Sequence, residues 1–175
     1  MLKADGYAGL TIAKVAARAG ENKALIGYHF GSKDGLVAAV GREVGESITA
    51  EVVEQIGEPE SIADVVSGVV AGTWRVLDRD ARMARVYFDL TAVSVVEANV
   101  RRVMQEIRAG WRETLVDLLR RADPDLAPAQ ARTADLLIRA GVEGLALERI
   151  EAGDSAELRR ARALFERVVT DAIAT

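Results

Sequence analysis

Apolar residues recur at helical spacing along almost the whole chain, and no segment of useful length alternates between apolar and polar residues as a half-buried strand would. The apolar stripes are separated by short breaks that contain glycine, proline or a residue that commonly caps a helix. A chain of 175 residues, half of them hydrophobic, can bury a sizeable core. The sequence therefore predicts an all-α protein, without internal repeats or low-complexity tracts.

Six helical segments follow residue 31, and recognisable signals mark their ends. We place them at about residues 32–56, 62–77, 83–93, 100–119, 128–150 and 155–172. The break after the second segment is the polar run Asp78-Arg79-Asp80. Ser61 is expected to begin a capping box, and Pro128 suits the first turn of a helix. Asp154 is expected to cap the last helix, with Glu157 three residues later.

The segment before residue 32 has a different pattern, with two short helices and a tight turn. Thr11 is a good N-cap for the first of them, and Gly20 supplies the left-handed residue that ends it. Asn22 then caps a second short helix that ends at Gly31, and Ser32 caps the long helix that follows. Two short helices joined by a glycine-containing turn form a helix-turn-helix motif, which is typical of DNA-binding proteins.

The second short helix has the composition that a DNA groove requires. The major groove is about 12 Å wide, so the exposed face of an inserted helix needs small residues and polar residues that reach the bases. We expect Leu25, Ile26 and Phe30 to pack inward. The outward residues would then be Lys23, Ala24, Gly27 and Tyr28. A glycine in mid-helix lowers helix stability by roughly 1 kcal/mol, so Gly27 is best explained by a close approach to DNA.

Charge is distributed unevenly along the chain. Residues 1–42 carry six basic and three acidic side chains, a formal charge of +3, whereas the remaining residues carry 17 basic and 24 acidic side chains, a formal charge of −7. All four lysines fall within the first 33 residues. This asymmetry is typical of a small basic head that faces a nucleic acid and an acidic body, although four lysines are few enough for chance to produce the same distribution.

Several classes of protein are disfavoured by what the sequence lacks. Without cysteine there are no disulfides and no thiolate metal sites. His29 is the single histidine, and no Glu-x-x-His motif, nucleophile elbow or cofactor-binding loop occurs, so we expect no catalytic residue, no metal and no cofactor. No apolar run approaches the roughly 20 residues that cross a bilayer, and no signal peptide is evident. We expect a cytoplasmic protein that is not an enzyme and does not bind a membrane.

Residues 11–36 resemble the TetR family of bacterial transcriptional regulators. The matching strings are Thr11-Ile12-Ala13-Lys14-Val15-Ala16, Ala19-Gly20, Asn22-Lys23-Ala24, Leu25-Ile26-Gly27-Tyr28-His29-Phe30 and Gly31-Ser32-Lys33-Asp34-Gly35-Leu36. The match is uninterrupted and lies near the N-terminus, where the family carries its DNA-binding motif. After about Val44 only the helical architecture is similar.

The resemblance implies a DNA-binding surface. Thr11 and Lys33 would hold phosphates, and the helix N-terminus at Lys33 favours an anion in addition. The residues in or beside the major groove would be Lys23, Ala24, Gly27 and Tyr28, and His29 would lie at the end of the recognition helix. The full set that we assign to DNA is Thr11, Lys14, Asn22, Lys23, Ala24, Gly27, Tyr28, His29 and Lys33.

The resemblance also implies two domains, residues 1–45 for DNA binding and residues 46–175 for ligand binding and dimerisation. A small-molecule effector of unknown identity would bind a mostly apolar pocket lined by Trp74, Met83, Tyr87, Phe88, Met104, Ile107 and Trp111, although such stripes are more often ordinary core. The last two helices would pair with those of a second subunit through Leu137, Gly141, Gly144, Leu145, Leu158, Leu164, Phe165 and Val168. The expected function is repression from a palindromic operator, relieved by the effector.

One departure from the family pattern leaves alternatives open. The family has a full helix before the glycine and aromatic residue that precede the motif, and here only Met1–Asp5 stand before Gly6-Tyr7. We expect most of that first helix to be missing: either the given sequence starts late, or the DNA-binding head is incomplete and therefore weakened. The competing functions are an interaction protein that no longer binds DNA and, less well supported, an all-helical enzyme.

Overall fold

A computed structural model describes residues 9–173 of the chain, and within that range it is all-α with no strand. The expected loss of the first helix concerns Met1–Asp5 and Gly6-Tyr7, which lie outside the described residues. The helices are α1 (Ile12–Ala19), α2 (Lys23–Phe30), α3 (Lys33–Ile56), α4 (Ile62–Val96), α5 (Ala98–Ala122), α6 (Pro128–Ala152) and α7 (Ala156–Ile173). The predicted fold class, with an N-terminal helix-turn-helix followed by a helical bundle, is confirmed.

Local hydrogen bonds explain where the later helices begin. The Ser61 hydroxyl accepts from the Asp64 backbone N–H at 3.2 Å and donates to the Asp64 carboxylate at 2.8 Å, so the predicted capping signal is confirmed. Pro128 occupies the first turn of α6 as predicted. The predicted cap of the last helix is wrong by one residue, because the hydroxyl of Ser155, and not the Asp154 carboxylate, accepts from the Leu158 N–H at 3.0 Å. Asp154 instead accepts from Arg159 at 2.9 Å.

The predicted polar break after residue 77 is a kink inside α4. Asp80 has φ −154° and ψ 82°, which are not helical values, while the residues on both sides continue the helix. The kink falls within the polar run Asp78-Arg79-Asp80. The break is therefore confirmed, but the two segments remain consecutive.

The described helices divide into two compact units. The first unit contains Met1–Ser47 and Arg82–Arg108, and the second contains Ile48–Ala81 and Ala109–Thr175. In the second unit, a single cluster of buried aliphatic side chains joins α4, α5, α6 and α7. Its most deeply buried members are Val65, Val66, Leu115, Leu119, Ala131 and Ile138. Burial of these side chains stabilises the second unit by roughly 1.5–3 kcal/mol for each large aliphatic residue.

Two glycines of α4 allow close backbone contact within the second unit. A Cβ added at Gly72 would lie 2.6 Å from the Cα of Val52, and one added at Gly68 would lie 2.8 Å from the Cα of Ile56. Gly68 and Gly72 are four residues apart, so they lie on one face of α4, and so do Val52 and Ile56 on α3. The last turns of α3 therefore pack against α4 at a separation that only glycine permits.

A similar pair of glycines organises the first unit. A Cβ at Gly45 would lie 2.6 Å from the Cγ2 of Ile107, and one at Gly41 would lie 3.3 Å from the Cγ1 of Val103. At the start of α3, the Asp34 carboxylate accepts a hydrogen bond at 2.7 Å from the amide of Asn99, which lies at the start of α5. The first part of α3 thus packs along the first part of α5, with polar contact at the beginning and apolar contact at the glycines.

Asp135 of α6 is a buried charge within the second unit. Its side chain is 1% exposed, and one carboxylate oxygen pairs with Arg112 Nε at 3.3 Å, while the other has no hydrogen-bond partner among the described residues. Burial raises the pKa of the Asp135 carboxyl, and this effect outweighs the opposing influence of Arg139 and Arg112. The ionised carboxylate is therefore less stable in the folded chain than in water.

Asp135→Asn is expected to stabilise the protein at neutral pH. Because the pKa of the Asp135 carboxyl is raised in the folded state, the protonated carboxyl stabilises the fold fully at pH values below its pKa in the unfolded chain. This stabilisation is lost as the pH rises through the folded-state pKa. The variant cannot ionise, so its advantage over the parent should grow from acidic to neutral pH in urea unfolding curves. Asp117→Asn, on an exposed carboxylate of α5, is the control. An advantage for Asp135→Asn that does not change with pH would contradict this account.

Candidate nucleic-acid interface

Side-chain caps and left-handed glycines fix the geometry of the helix-turn-helix. Thr11 accepts from the Lys14 N–H at 3.2 Å, and the Asn22 amide oxygen accepts from the Ala24 N–H at 2.8 Å. Gly20 ends α1 with φ 69°, and Gly31 ends α2 with φ 70°, conformations that residues with a Cβ rarely adopt. The predicted caps and turn are confirmed, and they bring α1 and α2 together as a packed pair.

The start of α3 is fixed in the same way. The hydroxyl of Ser32 accepts from the Gly35 N–H at 3.1 Å, as predicted. Lys33 is the first residue of this helix and is half-buried. An anion beside Lys33 would meet both the ammonium group and the first backbone N–H groups of α3.

The outward face of α2 is defined by its buried residues. Ile26 is 8% exposed and Phe30, four residues later, is half-buried, so these two side chains form the inner face. Tyr28 lies on the opposite side and is 85% exposed. Lys23 and Ala24 are also exposed, whereas Gly27 is half-buried. An 85% exposed tyrosine flanked by small and basic residues is a surface that can enter a groove.

The predicted orientation of Leu25 is wrong. We expected this side chain to pack inward, but it is 40% exposed and lies beside Tyr28 on the outward face. The inner face is already occupied by Ile26 and Phe30, and Leu25 is rotated about 100° from Ile26 around the helix axis. The spacing of Ile26 and Phe30 was the sequence signal that could have placed Leu25 outside.

The remaining residues assigned to DNA are placed as follows. Lys14 is exposed, and its ammonium group donates to the Gly9 carbonyl at 3.2 Å. His29 is exposed, and its ring contacts the edge of the Tyr28 ring at a centroid distance of 5.5 Å. Thr11 and Asn22 are exposed at the N-termini of the two short helices. The head therefore presents the nine assigned residues on a short, contiguous segment of chain.

The residues that we predicted to line a ligand pocket do not share one compact unit. Five of them belong to the first unit: Met104 is 1% exposed, and Met83, Tyr87, Phe88 and Ile107 are half-buried. Trp74 and Trp111 belong to the second unit, where they pack in or against its core. The guanidinium groups of Arg149 and Arg162 lie over the Trp74 ring, at 5.5 and 5.2 Å from its centroid.

The residues predicted at a subunit interface fall into exposed and buried groups. Leu137, Gly144, Leu164 and Val168 are exposed on α6 and α7. Phe165 packs directly over Gly141, and Phe165 and Leu145 lie against the core of the second unit. Leu158 is 4% exposed because α6 and the other helices of that core cover it, so its side chain stabilises the subunit itself.

Two clefts formed by described residues of the second unit include none of the seven residues predicted to line a pocket. The first has a volume of about 290 Å³ and lies between the start of α6 and the end of α7, with Thr133, Leu137 and Ile173 in its wall. The second has a volume of about 450 Å³ and is bordered by Glu58, Glu60 and Asp64. Among residues 9–173, no cluster of side chains has a metal-binding arrangement, and no helix is both long and apolar enough to cross a membrane.

Comparison with protein-family models gives two matches that together cover most of the chain. Residues 1–40 match the bacterial regulatory proteins of the tetR family. Residues 63–174 match the C-terminal region of the BetI-type transcriptional repressors. No curated protein matches the chain significantly.

Solved structures with the same fold cover nearly the whole chain. A protein from Pseudomonas aeruginosa PAO1, described as a transcriptional regulator, is 23% identical with a TM-score of 0.81, over 99% of this chain and 85% of that one. A protein from Rhodococcus sp., assigned to the TetR family, is 23% identical with a TM-score of 0.78, over 99% and 92%. The multidrug binding protein EbrR, complexed with imidazole, is 24% identical with a TM-score of 0.73, over 95% and 87%. At these identities the likeness establishes the fold.

Proposed function

Since the chain belongs to the TetR family of bacterial transcriptional regulators, we propose that it is a repressor that binds a palindromic operator as a homodimer and leaves it when a small molecule binds. The observation that carries the DNA-binding part is the exposed outer face of α2, which displays Tyr28 between two capped helix starts. The positive formal charge of residues 1–42 favours DNA at this end of the chain.

The homodimer is supported by an apolar surface on α6 and α7. Leu136, Gly144 and Leu147 on α6, and Leu164 and Val168 on α7, are exposed at spacings of three, four or eight residues, which place them on one face of each helix. Leucine and valine side chains exposed in this pattern are typical of helix faces that pair with another subunit. We propose that this face pairs with itself around a two-fold axis.

The effector site is proposed for the five apolar residues of the first unit, Met83, Tyr87, Phe88, Met104 and Ile107. Ile107 contacts Gly41 and Gly45 of α3, the helix that directly follows the recognition helix. A ligand that displaces Ile107 would therefore act on α3 without an intermediate residue. The two recognition helices of a dimer must stand about 34 Å apart to enter successive major grooves, so a tilt of α3 would lower affinity for the operator.

The proposal has no catalytic component and places the protein in the cytoplasm with the DNA. Its direct test is a gel shift of the full chain with the upstream region of its own gene, followed by selection from a pool of random duplexes. Retention of one palindromic duplex over the pool would support the proposal. A chain that retains no duplex, also when its N-terminus is extended, would be an interaction protein instead.

Lys33→Ala is expected to weaken binding to the selected duplex and to an unrelated duplex by about the same factor. Lys33 would contact a phosphate, which carries no sequence information, so its loss should lower the slope of log affinity against log salt concentration by about one. Fluorescence anisotropy at several salt concentrations measures both quantities. Arg167→Ala, which removes an exposed cation from α7, is the control and should leave the slope unchanged. An unchanged slope for Lys33→Ala would remove this residue from the interface.

A further inference from the structure

The outward face of α2, the proposed recognition helix, is more apolar than a face that recognises bases only through hydrogen bonds needs to be. Ala24 and Tyr28 are four residues apart and Leu25 and Tyr28 are three apart, so the three side chains are neighbours on one face. Leu25 is 40% exposed although Ile26 beside it is buried. The helix thus directs a branched aliphatic side chain toward the surface that would meet DNA.

We infer that Leu25, flanked by Ala24, reads the C5-methyl group of a thymine in each operator half-site. This inference rests on the proposed function, because it requires that α2 lies in the major groove. In that groove thymine is the one base that presents a methyl group, whereas guanine, adenine and cytosine present hydrogen-bond donors or acceptors at the corresponding edge. An aliphatic side chain gains from burial against the methyl group.

The same contact discriminates against G·C pairs. A leucine placed over guanine O6 and N7 or over cytosine N4 removes water from these polar atoms and offers no hydrogen bond in return, which is unfavourable. The polar groups of α2 that could serve those bases belong to other residues: the Lys23 ammonium lies in the first turn, and the Tyr28 hydroxyl lies at the tip of an 85% exposed side chain. The position that meets Leu25 is therefore selective for thymine in an A·T pair.

The test starts from the duplex selected by the full chain, with each thymine replaced in turn by deoxyuridine, which lacks only the methyl group. Replacement of the contacted thymine in one half-site alone is expected to weaken binding about fourfold, the factor that burial of a single CH₂ group contributes. Replacement in both half-sites should weaken binding roughly fifteenfold, because the two contacts are equivalent in a symmetric dimer. Other thymines should show no change.

Leu25→Ala is expected to abolish the difference between the thymine and deoxyuridine duplexes, and its affinity for the latter should stay within about twofold of the parent. Leu25→Met, which retains apolar volume and guards against a loss of folding, should keep the discrimination. Leu25→Asn should shift the selected base at this position from thymine to adenine, because an amide can pair with adenine N6 and N7. Val95→Ala, on an exposed side chain outside the head, is the control and should behave as the parent.

The outcomes separate this inference from the proposed function. If a palindromic duplex is selected but no thymine methyl matters, or if Leu25→Ala weakens both duplexes equally, the side chain contacts the sugar-phosphate backbone and the inference is overturned alone. If no duplex is retained at all, the proposed function is overturned and the inference with it.

Discussion

Gly72→Ala is expected to lower the free energy of unfolding by about 1–3 kcal/mol, the range for a core in which an added group meets atoms that cannot move. The added Cβ would lie 2.6 Å from the Cα of Val52 and 3.1 Å from its Cβ. Backbone atoms of a helix cannot yield as the end of a flexible side chain can, so α3 and α4 must separate. Urea unfolding at one fixed protein concentration measures the change, since a dimer's stability depends on concentration.

The matched control is Gly110→Ala in α5. Gly110 is also in mid-helix, but apart from its chain neighbours and the adjacent backbone of its own helix, no atom of the described residues lies within 4 Å of the position of its missing Cβ. Alanine there should raise stability by up to about 1 kcal/mol through helix propensity alone. The two substitutions add the same methyl group, so opposite signs would identify packing as the cause. Equal stabilisation by both would show that Gly72 is not at a close helix contact.

Leu164→Glu is expected to convert the proposed dimer into monomers. Leu164 is 49% exposed in the single chain. In the proposed dimer, the Leu164 side chains of both subunits would be buried at the two-fold interface. An unpaired charge in such a position destabilises by about 3–5 kcal/mol, so even one of the two should raise the dissociation constant by at least about a hundredfold. Light scattering coupled to size-exclusion chromatography gives the mass directly. Operator affinity should fall as well, since a monomer presents one recognition helix.

Ala163→Glu is the control for this experiment. Ala163 is exposed on α7 next to Leu164 in sequence but is rotated away from the face that Leu164 and Val168 share. This variant adds the same charge and should remain dimeric. If Leu164→Glu is a dimer of unchanged stability, the subunits meet elsewhere or the chain is a monomer.

Much of the helix-turn-helix could be predicted from the sequence because its determinants are local. Thr11, Asn22 and Ser32 each cap through a hydrogen bond to a residue two or three positions along the chain, and Gly20 and Gly31 adopt the left-handed conformations that end helices. Such contacts depend on residue type and spacing, both of which are visible in one dimension. Where two neighbouring residues can compete for the same cap, as Asp154 and Ser155 do, the local signal was ambiguous by one position.

Tertiary structure alone decided which face of each helix is covered. Apolar spacing showed that Leu158 lies on an amphipathic helix, but only the packing of neighbouring helices placed its side chain within the core of the subunit. The same holds for Asp135, whose burial and raised pKa arise from α5 and α6 together. Periodicity fixes the angles between residues around one helix axis. Which side of that helix faces the core depends on the helices that pack against it, and these are distant in sequence.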